Sequence, residues 1–250
     1  MMNELNGKNN YVLGGNVMKK VALFLAAIIM FGAICMPVSA KIAEPDLKTS
    51  AADYYIISEP SAEVKGKVSA KLQNKENEII IPEEVTINGK MYSVTEISGL
   101  CYPDIADKNL KQDAYKNIKN KVTQIITLPK TIARVQKGTF SNFTNLKEIK
   151  VDPNNEYFIY KKGALLSKDG KKLYGTITLQ KKYTIPKGVT TIMDRAFAYS
   201  KVKTIVLPKT CHNIGARSFY RCSKLSEVKG IKGVKRVGKG AFYGCKFKLR

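Results

Sequence analysis

The stretch Ile185-Pro186-Lys187-Gly188-Val189-Thr190-Thr191-Ile192-Met193-Asp194-Arg195-Ala196-Phe197 is followed, 22 residues on, by Leu207-Pro208-Lys209-Thr210-Cys211-His212-Asn213-Ile214-Gly215-Ala216-Arg217-Ser218-Phe219. Each runs an apolar residue and proline into a second apolar position, then sets a small residue beside phenylalanine. The register recurs along the chain. Ile81, Leu128, Val151, Ile185, Leu207 and Gly230 fall in one column of strand ends, and Tyr115, Phe140, Phe197, Phe219 and Phe242 in one column of aromatics. Successive strand ends lie 47, 23, 34, 22 and 23 residues apart. The short steps define a unit of 22 or 23 residues, and the long ones a unit carrying an insertion. A fixed period in this range is the signature of a solenoid, in which each unit buries its apolar residues only against its neighbours.

Each unit opens with a short strand of two apolar residues spaced by two, preceded by a less constant third, as in Val202-x-x-Ile205-x-Leu207 and Leu146-x-x-Ile149-x-Val151. Thr123-x-x-Ile126-x-Leu128, Gln180-x-x-Tyr183-x-Ile185 and Glu76-x-x-Ile79-x-Ile81 are weaker copies. Side chains alternate faces along an extended chain, so these positions point one way and stack into a ladder. A second apolar group (Val189 and Ile192, Ile214, Val234 and Val237) precedes Ala196-Phe197, Ser218-Phe219 and Ala241-Phe242. Small beside large is expected to be a single turn of helix that plugs a ring into the core. Two insertions read as hairpins. One runs Thr86 to Val94 around Asn88-Gly89, with an added loop from Gly99 to Lys111. The other pairs Ala164–Ser167 with Lys171–Tyr174 around Asp169-Gly170. Both are expected to decorate an edge. The fold class expected is a β-rich α/β solenoid with short strands, single helical turns and two hairpin-like insertions.

The first forty residues have the pattern of an export signal. Lys19 and Lys20 precede an uncharged apolar run from Val21 to Ala33, and Val38-Ser39-Ala40 is a small-x-small cleavage site. Met18 is an alternative start. The apolar run is shorter than the ~20 residues of a membrane span. Cys35 raises the alternative of lipidation, but Ile34 sits where that cleavage needs a small residue. Cleavage after Ala40 leaves a polar linker, 41–52, and a repeat domain, 53–250, with degenerate N-terminal units and no evident C-terminal cap. The mature chain carries 40 basic and 19 acidic residues, a net charge of +21.

These motifs resemble the BspA-like leucine-rich repeats of bacterial and protozoan surface proteins. The resemblance is carried by Ile185-Pro186, Val189, Ile192 and Ala196-Phe197, then by Leu207-Pro208, Ile214-Gly215, Ser218-Phe219 and Cys222. Val237-Gly238, Ala241-Phe242 and Tyr243-Gly244-Cys245 make a third copy. Val151-Asp152-Pro153-Asn154-Asn155 with Lys168-Asp169-Gly170 is similar to a segment inserted in that family. Met193 and Val135-Gln136 depart from Ile-Gly, and Ser200 and Phe143 from Cys. The resemblance implies a secreted or cell-surface leucine-rich repeat protein used in adhesion or host contact, and no shared catalytic residue.

No catalytic constellation can be assembled from the residues. His212 is the only histidine, and it adjoins Cys211 on a chain whose neighbouring side chains face opposite ways, whereas thiol catalysis needs base and nucleophile within hydrogen-bond reach. Glu148 and Glu227 occupy equivalent strand positions far apart and read as solvated surface. Neither a Cys-x-x-Cys pair nor a histidine cluster is present, so no metal or cofactor is expected. Cys222 and Cys245 share a column in adjacent units and should stack about 5 Å apart. That spacing permits either a disulfide or buried thiols acting as small apolar plugs. Cys101 and Cys211 have no partner that sequence can name. Leu128-Pro129-Lys130-Thr131 and Leu207-Pro208-Lys209-Thr210 mimic a sortase motif but lack its glycine, and Asn142-Phe143-Thr144 is a sequon by pattern alone.

The basic excess is the functional hint. Lys224 to Arg250 holds nine basic residues and one acid, Glu227. A single-sign field favours anionic polymers such as acidic glycans or teichoic acids, and Lys232, Lys235, Arg236 and Lys239 are the candidate binding residues. Base-specific nucleic-acid recognition lacks a motif. The expected function is a secreted or surface binding module for host protein or anionic polymer, with a self-assembling or envelope-associated structural protein as the alternative. Tyr199, Tyr220 and Tyr243 could form an aromatic row beside the turn.

Overall fold

Apolar residues at every second position, interrupted by turns every dozen residues or so, dictate short strands that must stack to bury one face. A computed structural model describes residues 45–248 except 50, 63, 74–75, 100–121, 142, 144 and 178–180. The leader with Cys35, the added loop beyond Gly99 with Cys101, and Tyr115, Gln180, Asn142 and Thr144 lie outside the described residues. In chain order the strands begin with β1 (Leu47–Lys48), β2 (Ala52–Ser58), β3 (Gly66–Leu72), β4 (Glu78–Ile80), β5 (Glu84–Ile87) and β6 (Lys90–Ser98). The middle of the chain supplies β7 (Ile125–Leu128), β8 (Arg134–Val135), β9 (Glu148–Val151), β10 (Phe158–Lys161), β11 (Ala164–Ser167) and β12 (Lys172–Thr176). Six further strands complete it: β13 (Lys182–Thr184), β14 (Thr191–Ile192), β15 (Thr204–Val206), β16 (Asn213–Ile214), β17 (Glu227–Lys229) and β18 (Arg236–Val237).

Residues 45–87 and 91–248 belong to one compact unit, a β-solenoid. Its first ladder stacks Ile79, Ile126 and Ile149, and again Tyr183, Ile205 and Val228, in parallel register. A second ladder stacks Leu173, Ile192, Ile214 and Val237. Ile97 pairs with Val135 in the same manner. Between the ladders lies the core. Phe197, Phe219, Ile205, Ile192 and Ile214 are buried there. The Phe219 ring stacks on Phe197 at 4.8 Å and on Phe242 at 5.2 Å.

Among the described residues the turns lack the α component expected of them. The one helical element among the described residues is a single 3-10 turn, Ile231–Gly233. After each strand the N–H groups alternate between two duties. Ala196, Ala198 and Ser200 donate to the carbonyls three residues back, while Arg195, Phe197 and Tyr199 donate to Ala216, Ser218 and Tyr220 of the next unit. The same alternation repeats one unit on, where Arg217, Phe219 and Arg221 donate to Lys239, Ala241 and Tyr243. A continuous helix would direct its interior N–H groups to carbonyls of its own segment. Stacking at strand spacing offers half of them a partner in the adjoining unit, so the turn joins the ladder. The resulting approach leaves no room for a side chain: a Cβ on Gly238 would lie 2.4 Å from the Ala216 nitrogen.

Both insertions differ from edge decoration. β10, β11 and β12 form an antiparallel three-stranded meander, and β12 then pairs parallel with β14. Likewise β6, which leaves the turn at Asn88 and Gly89 (φ 51° and 75°), pairs parallel with β3 and β8. A hairpin inserted into a stacked coil must return to the stack, and its returning strand serves as that unit's rung. The antiparallel pairs β1–β2 and β2–β3 then lie along β6. Leu47–Lys48, within the expected linker 41–52, is therefore paired backbone. The Asp46 carboxylate also accepts the Ile56 N–H at 2.7 Å.

Candidate functional site

Two turn positions per unit take left-handed backbone, which favours glycine. Two residues before the aromatic stand Gly138 (φ 69°), Arg195 (59°), Arg217 (53°) and Gly240 (65°). Two residues after it stand Tyr199 (64°), Arg221 (53°) and Gly244 (75°). A long side chain in this conformation costs on the order of 1–3 kcal/mol. The first column therefore holds two arginines where the flanking turns hold glycine.

These turns border a groove of about 900 Å³. Phe158, Tyr174 and Met193 line it, with Phe158 and Tyr174 meeting edge to face at 5.1 Å. Arg134, Lys137, Arg195, Arg217 and Lys239 line it as well, against one carboxylate, Asp194. That carboxylate is engaged: it accepts the Ala216 N–H at 2.8 Å and lies 3.6 Å from the Lys137 ammonium. Arg134 sits 3.6 Å from Glu96. Burial, with the charge of Asp169, pushes the Tyr174 hydroxyl above its ordinary pKa, so the ring stays neutral. Five cations around an aromatic floor can hold an anion by charge and forked hydrogen bonds.

The four residues singled out from the sequence are all exposed, but only Lys239 lines the groove. Lys232 belongs to the 3-10 turn and Arg236 pairs with Asn213 across to β16, while the Lys235 N–H donates to the His212 carbonyl. Arg195 and Arg217 were missed. Their signal was present: a column that alternates between glycine and arginine marks a left-handed position. Arg134 and Lys137 come from a unit some sixty residues away in sequence, and only the stacking brings them near.

The remaining candidates resolve simply. Cys222 and Cys245 are free buried thiols, each donating to a phenylalanine carbonyl of the preceding unit, Phe197 at 2.9 Å and Phe219 at 3.0 Å. The neighbouring Cys245 thiol and burial both raise the Cys222 pKa. Cys211 is also free, and burial pushes its thiol up to about 11. It bonds the Asn213 carbonyl, while His212 Nδ1 lies 3.5 Å from that of Gly233. Such a thiol is a poor nucleophile. Among the described residues no group of three or more His, Cys, Asp or Glu side chains could hold a metal ion. No helix there is long and apolar enough to cross a membrane. Glu148 and Glu227 are exposed, and Glu227 pairs with Lys229 at 3.5 Å. Tyr199, Tyr220 and Tyr243 do form a row, with centroids 5.7 and 5.4 Å apart.

No curated protein sequence matches the chain. Among solved structures, it is similar to a leucine-rich repeat protein from Eubacterium ventriosum (16% identity, TM-score 0.41), over 71% of this chain and 67% of that one. A leucine-rich repeat protein from Bacteroides ovatus aligns at 19% identity and TM-score 0.43, over 81% of this chain. The alignment spans just under half, 46%, of the Bacteroides protein. A leucine-rich cell surface protein from Faecalibacterium prausnitzii aligns at 14% identity and TM-score 0.43, over 78% and 79% of the two chains. The model of the BspA type leucine rich repeat region matches in six copies, over residues 72–162 and 170–249. The repeat period, the two stacked ladders and this match agree: the chain belongs to the BspA-type leucine-rich repeat family.

Proposed function

We propose that this protein is an exported binding module, secreted or retained non-covalently at the cell surface, that engages a host protein or an anionic polymer in adhesion and performs no catalysis. The observation that carries the reading is the groove, in which five basic side chains gather around an aromatic floor with one carboxylate already engaged. A field of one sign over a concave surface attracts acidic glycans or teichoic-acid-like chains before any specific contact forms. The thiol and imidazole at Cys211 and His212 support no competing reading, because the thiol is buried and its hydrogen bond goes to backbone.

The test is a glycan and matrix-protein array probed with the exported chain across a salt series. The expected result is retention on acidic glycans or on a matrix protein, with the glycan signal falling as the Debye length shrinks from about 10 Å at 0.1 M to about 3 Å at 1 M salt. A chain retained by neither class refutes the reading. Material recovered from the medium should begin at Lys41, and a mature form starting at Cys35 would instead make it a lipoprotein.

A further inference from the structure

Arg195 and Arg217 hold left-handed backbone at φ 59° and 53°, in a column where Gly138 and Gly240 occupy the turns on either side. The turns meet closely. A Cβ on Gly138 would lie 3.2 Å from that of Arg195, and one on Gly240 would lie 3.6 Å from Arg217 Cγ. Glycine and arginine both occupy this column, and the left-handed backbone costs arginine more than glycine. Residues in such backbone persist where the surrounding structure holds them, and they cluster at ligand sites.

We infer that Lys137, Arg195, Arg217 and Lys239 form a linear anion-binding track across successive turns, and that its ligand is an acidic polysaccharide. The inference rests on the reading of the chain as an extracellular binding module and names the site and ligand class within it. The turns are hydrogen-bonded in sequence, Arg195 N–H to Ala216 carbonyl and Arg217 N–H to Lys239 carbonyl, both at 3.1 Å. The backbones therefore follow one another at about the 4.8 Å of stacked strands. A single small anion needs donors that converge, whereas these cations are laid out in a row, which matches a polymer whose charges also come in a row. The guanidinium fork takes a carboxylate or sulfate through two parallel hydrogen bonds. Tyr174 offers a ring face for the apolar side of a sugar and, with its pKa raised, a neutral hydroxyl. Asp194 accepts the Ala216 N–H and pairs with Lys137, which holds the first cation of the row in place.

The exported chain is titrated with polygalacturonate, with its methyl ester as the uncharged counterpart, and with oligothymidylate. The variants are R195G/R217G, R195K/R217K and K232Q/K235Q/R236Q. The parent should bind polygalacturonate in a salt-sensitive manner and ignore the ester. R195G/R217G should lose at least about tenfold in affinity while its thermal midpoint stays level or rises, because glycine relieves the backbone. R195K/R217K keeps charge and backbone but not the fork, so binding should weaken several-fold. The K232Q/K235Q/R236Q variant should bind within about twofold of the parent. Polygalacturonate affinity unchanged in R195G/R217G and R195K/R217K overturns the site, and loss in K232Q/K235Q/R236Q alone moves it to the other surface. Tighter binding of oligothymidylate overturns the ligand class. A parent that captures matrix protein but no polygalacturonate overturns the track and leaves the binding module standing, whereas capture of neither overturns both.

Discussion

Replacing Phe219 by alanine removes a fully buried ring held between Phe197 at 4.8 Å and Phe242 at 5.2 Å, with ring planes 20° and 3° apart. Returning such a side chain to water costs about 1.5–3 kcal/mol, and the unfilled cavity brings the usual total to about 3–5 kcal/mol. Each stacked contact adds about 0.5–1.5 kcal/mol beyond area. Collapse into the space is restricted, because Phe197 N–H to Ser218 carbonyl and Phe219 N–H to Ala241 carbonyl, both at 2.8 Å, fix the spacing of the turns. The expected loss is therefore in the upper range, about 4–5 kcal/mol. Phe242 is only partly buried, so Phe242→Ala should cost about half as much. Urea denaturation gives both values, with an unchanged slope needed for the comparison. Hydrogen exchange should show the damage concentrated in the turns around residues 197, 219 and 242, since a solenoid's coupling is to nearest neighbours. Equal effects for the two variants, or a midpoint unmoved by Phe219→Ala, would refute the stacked-ring account of the core.

Ser218 is buried with no hydrogen-bond partner for its hydroxyl, and alanine stands in its column in the flanking units, so Ser218→Ala should raise stability by about 1 kcal/mol in the same assay. Gly238→Ala would drive a methyl to 2.4 Å from the Ala216 nitrogen and should cost about 2–3 kcal/mol. Gly233→Ala, with open space around it, should stay within about 0.5 kcal/mol; equal costs would mean the turns are not in close contact. Burial pushes the Tyr54 hydroxyl up to about 12 from an ordinary 10. Its stabilising contribution is present below pH 10 and is lost as pH rises toward 12. Tyr54→Phe should reduce that alkaline loss by about 2.7 kcal/mol, and an identical alkaline profile for the variant would count against the burial.

The sequence alone was sufficient for the repeat. Its columns require only that like residues stack, and stacking at strand spacing is the one way a unit of 22 or 23 residues buries Ile205, Ile214 and Phe219 together. The buried position of the ring column and the surface place of Glu148 and Glu227 follow from that, and the motifs themselves carry the family resemblance. The N-terminal pairing was not legible: 41–52 reads as a polar linker and the units after it as degenerate, and β1, β2 and β3 are joined only by pairing across the chain. Tertiary structure decided what depends on a neighbour's backbone. Whether Arg195 N–H bonds within its own turn or to Ala216 of the next unit is not encoded in local propensity, so a helical turn was expected where a ladder forms. The returning strands β6 and β12 became rungs for the same reason: their partners β3, β8 and β14 lie outside the local segment, about 19 to 38 residues off. The groove is the extreme case. Lys137 and Lys239 are 102 residues apart, and they line one surface because stacked units convert a spacing along the chain into adjacency across it.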